Sequence, residues 1–206
     1  MVHIEKTGLL LVLALLCAPV SNAFKLDGKI ITNEGDTIIA RIMVNTSPVS
    51  KDPDYHEMQY KVKYRGPDDE ELQEITPGQA KEVQLIVGTK LVRLISCHVV
   101  KTSGTDTRAF LRMKVKGRYN LYIYYDWHST LTYNGDDLNK SMAVMGFWTI
   151  QKEGGYAIVL PKSWEYENEL KGYFENCPEI QKKIDPGRLR KWRIAKVIQQ
   201  YNDDCI

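Results

Sequence analysis

The chain has 206 residues, 43% of them hydrophobic, and its 28 Lys and Arg nearly balance its 26 Asp and Glu to leave a net charge of +2. That length fits one domain able to bury a sizeable core, and the near-neutral balance supplies no electrostatic reason for a nucleic-acid partner. No stretch reaches the roughly 20 apolar residues of a membrane-spanning helix, so no transmembrane helix is expected.

Residues 1–23 read as a cleavable secretory signal. A short polar start with Lys6 leads into an apolar stretch from Leu9 to Ala18, and Ser21 and Ala23 are the small residues that processing needs before a cut at Phe24. Cys17 is poorly placed for lipid attachment, because bulky Leu15 and Leu16 precede it. Taking 23 residues from 206 leaves 183. They are expected to form a single domain over 24–206, exported to the periplasm, the outer membrane or the extracellular space.

Cys97, Cys177 and Cys205 remain. An oxidising compartment favours pairing, and an odd count leaves one thiol over. Cys177 with Cys205 is the favoured pair, since both fall in the C-terminal helical region. Closing that loop adds about 3–4 kcal/mol in the chain-entropy account. Cys97, in the apolar run from Leu91, then reads as a buried free thiol. Sequence alone leaves the connectivity open.

In chain order, the β-rich runs 29–32 and 37–42 flank Asn33-Glu34-Gly35-Asp36 as a hairpin. A Pro- and Ser-containing surface loop follows over 45–56. Met58, Tyr60, Val62 and Tyr64 then alternate with Gln59, Lys61 and Lys63, which predicts a half-buried strand. A short run surrounds Leu72 and Ile75, a helical turn is expected over 79–83, and 90–100 reads as a strand buried on both faces. Leu111, Met113 and Val115, then Tyr119, Leu121, Ile123 and Tyr125, predict a second hairpin around Gly117. Residues 128–142 read as a loop. Trp148 and Ile150 with Tyr156, Ile158 and Leu160 predict a third hairpin about Gly154-Gly155.

The period changes after Pro161. Tyr166, Leu170, Tyr173 and Phe174 fall on one helix face. A short helix begins near Pro178, and a last one over 189–201 gathers Ile194, Val197, Ile198 and Tyr201. The expected class is therefore α+β: mainly an antiparallel β-meander, curved or barrel-like, over 24–163, followed by two or three helices over 164–206.

Three sequence stretches carry a resemblance: Gly28 to Thr37, Phe110 to Gly117 leading into Leu121-Tyr122, and Tyr173-Phe174-Glu175-Asn176-Cys177-Pro178 with the closing Tyr201-Asn202-Asp203-Asp204-Cys205. Together they resemble a group of exported Bacteroidota proteins without an assigned biochemical activity. The resemblance implies a signal, a β-rich body and paired C-terminal cysteines, and it brings no catalytic residues.

Candidate chemistry concentrates in Tyr122-Ile123-Tyr124-Tyr125-Asp126-Trp127-His128. A hydrolase would use Asp126 to orient His128 as general base, with Ser129 or a water as nucleophile. Neighbouring strand residues point to opposite faces, and no Gly-x-Ser-x-Gly elbow appears, both of which count against it. A carbohydrate- or protein-binding site would instead present Tyr122 and Tyr124 beside Asp126 on the face opposite Leu121 and Ile123, with Trp127 of the same segment as a further candidate contact. His56, His98 and His128 are isolated, and Asn134-Gly135-Asp136-Asp137-Leu138-Asn139 lacks the spacing of a calcium loop, so neither metal nor cofactor is expected. The basic run at 188–196 follows an acidic helix, and if the two pack together their charges face or flank each other and no outside partner is needed. The leading expectation is a non-catalytic, envelope-associated binding module whose partner is an envelope protein or glycan.

Overall fold

The structure, a computed structural model, describes residues 23–46, 52–68, 71–101, 103–134, 137–161, 165–184 and 193–205; the side chains at 23, 128–134, 137–142, 165 and 166 lie outside that description. The signal assigned to 1–23 therefore lies outside the described residues, apart from the backbone of Ala23. Strands are β1 (Ala23–Thr32), β2 (Thr37–Asn45), β3 (Val62–Arg65), β4 (Gln73–Ile75), β5 (Ala80–Val87), β6 (Lys90–Val100), β7 (Asp106–Val115), β8 (Tyr119–Asn134), β9 (Asp137–Lys152) and β10 (Ala157–Val159). Helices are α1 (Tyr55–Met58), α2 (Glu165–Tyr173), α3 (Pro178–Lys183) and α4 (Ile194–Asp204). The class is α+β, as the patterning predicts.

The strands form one sheet in the order β10-β9-β8-β7-β6-β5-β1-β2-β3-β4, with a further parallel pairing of β10 to β6. One edge of β6 carries β7. The other is divided: β5 occupies it from Lys90 to Ile95, and β10 meets Val99 and Val100. Successive antiparallel neighbours reverse direction, so the first and fifth strands of the set β6 to β10 run the same way and their seam must be parallel. The expected curvature is thus present, but closure is confined to this five-strand ring, while β5 and β1 to β4 extend from it as open sheet. A register shift between Met113 and Val115 adds local twist to β7, which helps the ring curl.

Two cores flank the ring and its extension. Outside the ring, Val115, Tyr119, Leu121 and Ile150 pack against Leu170, Phe174, Ile194, Val197, Ile198 and Tyr201 of the helical layer. The helix α4 buries positions 194, 197, 198 and 201, the i, i+3, i+4, i+7 stripe. Cys177 and Cys205 are joined across this layer with their Cα atoms 5.9 Å apart, and Cys97 is a buried free thiol. In the extension, Ile30, Ile42, Val62, Val83, Leu85 and Leu94 form a second core that reaches Phe110. Inside the ring lies a third, with Cys97, Val99, Ala109, Leu111, Tyr122, Tyr124, Ala157 and Val159.

Several expected elements differ. The strand predicted over 58–64 begins only at Val62: Met58 ends α1 and 59–61 turn out of it, because Asp54 accepts hydrogen bonds from the His56 and Glu57 N–H groups (3.0 and 3.3 Å) and starts a helical turn. The loop at 45–56 is narrowed by a Thr46–Pro53 bridge. Residues 80–83, expected in a helical turn, belong to β5. The loop expected at 128–142 is instead a continuous ladder from Tyr119–Lys152 to Asn134–Asp137. Thr130, Thr132 and Tyr133 favour extended backbone, and Asn134-Gly135 is a hairpin signal. The last helix extends to Asp204 rather than ending at Tyr201; its expected start at 189–192, with Trp192, lies outside the described residues.

Candidate functional site

The suggestive segment of β8 lies where β7 leaves it. Their pairing ends at Arg112 and Ile123. Within a strand, residues of one parity direct N–H and C=O groups to the same edge, so Tyr119, Leu121, Ile123 and Tyr125 share the edge that faces β7. Past Ile123 that edge is occupied by Gln59, which follows α1 and is fully buried. Its amide nitrogen donates to the Tyr125 carbonyl (3.0 Å) and its amide oxygen accepts from the Tyr125 N–H (2.7 Å). Its own backbone carbonyl accepts from the Phe110 N–H (2.9 Å). A single glutamine thus fills the gap between the diverging strands.

On one side of Gln59, the Tyr125 ring stacks on Tyr55 (5.7 Å, 18°), and the Arg112 guanidinium lies 4.4 Å over Tyr55. Burial pushes the Tyr125 and Tyr55 hydroxyls above the ordinary phenol range despite Arg112. On the other side, Tyr124 shares a hydrogen bond with Tyr60 (3.3 Å between hydroxyls), and Lys101 sits 5.1 Å from its ring centre while donating to Asp126 (2.9 Å). Burial opposes the charge on Lys101, but hydrogen bonds to Tyr124 and Asp126 outweigh it and raise its pKa. Burial likewise pushes the Tyr124 hydroxyl up to about 12, with Lys101 pulling the other way.

These contacts revise the sequence expectation. Tyr122 and Tyr124 are each 1% exposed, so neither stands free as a stacking platform. The face opposite Leu121 and Ile123 points into the five-strand ring, where β6, β7 and β10 cover both rings. Asp126 is engaged by Lys101 and accepts the Trp127 N–H (2.9 Å). The side chains of His128 and Ser129 lie outside the described residues, as do Gly135 and Asp136 of the sequence considered for calcium. Among the described residues no three His, Cys, Asp or Glu side chains gather into a metal-binding group, and no helix is long and apolar enough to cross a membrane.

Trp127 is the predicted site residue that does reach solvent, at 54% exposure. The His56 ring meets it edge to face (5.5 Å, 76°) and meets Tyr60 in the same way (5.8 Å, 85°). Val144, paired with Trp127, and Met145, paired with Asp126, are also exposed. Exposed apolar side chains thus stand on both faces of the ribbon, Trp127 with Val144 on one and Met145 beside Asp126 on the other, around the point where β8 and β9 leave the body as a two-stranded arm. Together they have the composition of a contact surface: rigid aromatics and a methionine beside a Lys–Asp pair.

Sequence reasoning missed Gln59, Tyr60, Lys101 and Arg112. Gln59 and Tyr60 read as strand positions, Lys101 as the start of a polar loop and Arg112 as the polar side of an alternating strand. No protein-family model matches the chain, and neither a curated protein nor a solved structure is significantly similar to it.

Proposed function

We propose that this protein is an exported, non-catalytic interaction module of the cell envelope, and that its contact surface is the arm formed by β8 and β9 together with its aromatic root. The observation that carries this reading is the exposure of Trp127, Val144 and Met145 where the arm leaves a body whose other aromatics are mostly packed. Export is supported by the signal pattern before Phe24 and by the Cys177–Cys205 disulfide, a bond typical of oxidising compartments. The resemblance to exported Bacteroidota proteins supports a bacterial envelope as the setting.

Cross-linked co-purification of the mature chain from its native envelope fraction tests the reading. A reproducible protein partner is expected, with recovery reduced about tenfold by Trp127→Ala, as for a central aromatic contact. Hydrolysis of a generic ester, glycoside or peptide that disappears in His128→Ala would overturn it in favour of the Asp126/His128 hydrolase. Glycan binding that depends on Trp127 with no protein partner would overturn it in favour of a carbohydrate-binding role, now without Tyr122 and Tyr124 as its platform.

A further inference from the structure

The open extension gives one face to its core and turns the other outward. Ile30, Ile42, Val62 and Leu85 point into the core, so their strand neighbours of opposite parity form the outer face. Paired residues line up across it in rows: Asp27–Arg41–Arg65, Lys25–Met43–Lys63 and Arg93–Gln84–Lys29–Ile39. Among the described residues no helix covers it, because α1 belongs to the inner core and α2 to α4 pack on the ring. Two kinds of side chain stand out there. Lys25, Lys29, Arg41, Lys63 and Arg65 are cations without an ion-pair partner among the described residues. The acids of β1 to β6 are Asp27, Glu74 and Glu82. Glu74 and Glu82 are taken by Lys61 and Arg93, which leaves Asp27 as the single uncommitted carboxylate. A chain near neutrality as a whole therefore gathers positive charge on this face. On the same face Ile39, Leu91 and its paired Ile86 are 61%, 59% and 48% exposed.

We infer that this face rests on an anionic lipid bilayer, its cations meeting headgroup phosphates while Ile39, Ile86 and Leu91 enter the headgroup boundary. The face is separate from the arm and gives the module a second contact. Its first support is a misfit within the fold. Arg41 and Arg65 stand directly opposite on neighbouring strands, and like charges so placed repel unless an anion lies beside them. Nothing inside the fold compensates Arg65, whose Nε is enclosed and meets no acceptor. The second support is the pairing of charge with exposed aliphatic surface. A bilayer offers phosphate and hydrocarbon at adjacent depths, and surface-bound proteins use both. A nucleic acid or acidic polysaccharide would use the cations and leave the aliphatic side chains idle. The aromatics of β1 to β6, Phe24 and Tyr64, both belong to the inner core, so no ring is offered for bases to stack on.

Vesicle flotation of the chain from Phe24, with its disulfide intact, tests the inference. Binding is expected to vesicles of phosphatidylglycerol in phosphatidylcholine and not to phosphatidylcholine alone, and about 1 M salt should release it. Each cation near an anionic surface strengthens binding about fivefold, so Arg41→Gln with Arg65→Gln should weaken it about 25-fold. The melting temperature of that variant should not fall, since it parts two like charges. Ile39→Ser with Leu91→Ser should weaken vesicle binding several-fold, and Trp127→Ala should leave it unchanged. No binding to the anionic vesicles, or equal binding by the arginine variant, overturns the inference. Binding to heparin or DNA as tight as to vesicles, and indifferent to Ile39 and Leu91, overturns it in favour of an acidic polymer. Loss of vesicle binding in Trp127→Ala moves the lipid contact to the arm and overturns it as well. A chain that ignores vesicles and still captures an envelope protein through Trp127 sinks the lipid face and leaves the interaction-module reading standing. A chain that binds anionic vesicles through Arg41 and Arg65 and captures no protein upholds the inference.

Discussion

Two side-chain amides finish the same edge of β8, one at each end of its short pairing with β7, and the chain treats the two ends differently. At the start, Asn202 of α4 bonds both backbone groups of Tyr119, accepting from its N–H and donating to its carbonyl at 2.9 Å each. Six residues on, Gln59 does the same for Tyr125. Each amide presents one donor and one acceptor with the spacing of a strand residue, so it stands in for the β7 backbone where β7 is absent. Beyond Asn202 the chain turns at Arg118 and Gly117, whose lack of a side chain leaves room for the Asn202 amide. Beyond Gln59 it runs on as the arm. One clamp ties the ring to the helical layer; the other ties it to α1 and marks where the body stops.

The largest effect is expected at Asn202. Its hydrogen bonds are fully buried, so Asn202→Ala leaves the Tyr119 N–H and carbonyl without partners and should cost about 3–4 kcal/mol in denaturant unfolding. Amide exchange at Tyr119 should accelerate while Tyr125 stays protected. Reducing the Cys177–Cys205 bond, which anchors the end of α4, should move the same probe in the same direction. Equal acceleration at both tyrosines would show that the two clamps are not independent.

Gln59→Ala should cost somewhat less, about 2–3 kcal/mol, because its bonds to Tyr125 are only part-buried although the side chain itself is enclosed. Here Tyr125 is the amide that should exchange faster. Gln59→Glu sharpens the test, since an ionised carboxylate can accept from the Tyr125 N–H but cannot donate to its carbonyl. That variant should recover stability as the pH falls and the carboxyl regains a donor.

These contrasts also mark the reach of the sequence. The hairpins about 33–36, 117 and 154–155 and the helical stripe of α4 were legible because each rests on a local period or a turn signal, and the Cys177–Cys205 pair was favoured, though not fixed, because both cysteines fall in the C-terminal helical region. The clamps were not. A single Gln or Asn in a polar stretch looks like a surface residue, and its burial depends on strands distant in the chain. Tyr122 and Tyr124 were misread for a related reason. Treating β8 as a strand with one buried face sent them to solvent, whereas the nearly continuous apolar run from Tyr119 to Tyr125 is the signature of a strand covered on both sides. The run at 90–100 was read that way, and β6, which joins the ring to the extension, buries residues on both sides of its strand.

Acid offers a smaller effect that separates the clamps from the open sheet. Amides do not titrate, so neither clamp should respond directly to pH. Glu82 on β5 does titrate. Burial pushes its carboxyl up, but hydrogen bonds from Arg93 (Nη2 to Oε2, 2.7 Å) and Gln84 outweigh burial and hold it below the ordinary range. A carboxyl depressed on folding contributes its stability in full above the unfolded value of about 4.3 and loses it as the pH falls through the folded value. Glu82→Gln should therefore cost about 1–2 kcal/mol at neutral pH and flatten the loss of stability below about pH 4. An unchanged acid limb in that variant would place the titrating group elsewhere.

The smallest stability change should come from Trp127, the most exposed aromatic of β8 among the described residues. Trp127→Ala removes a side chain whose main described neighbours are the edge of His56 and its paired Val144, so unfolding should shift by no more than about 0.5 kcal/mol. Tyr124, three residues earlier on the same strand and enclosed by the ring, would lose several times as much on the same truncation. A strand that is core up to Tyr125 and surface from Trp127 has little folding reason to keep a tryptophan at its first exposed position. If Trp127→Ala leaves the fold intact and abolishes capture of a partner, the residue serves contact. A loss of several kcal/mol would instead fold the arm's root into the body and move the boundary of the contact surface outward along the ribbon.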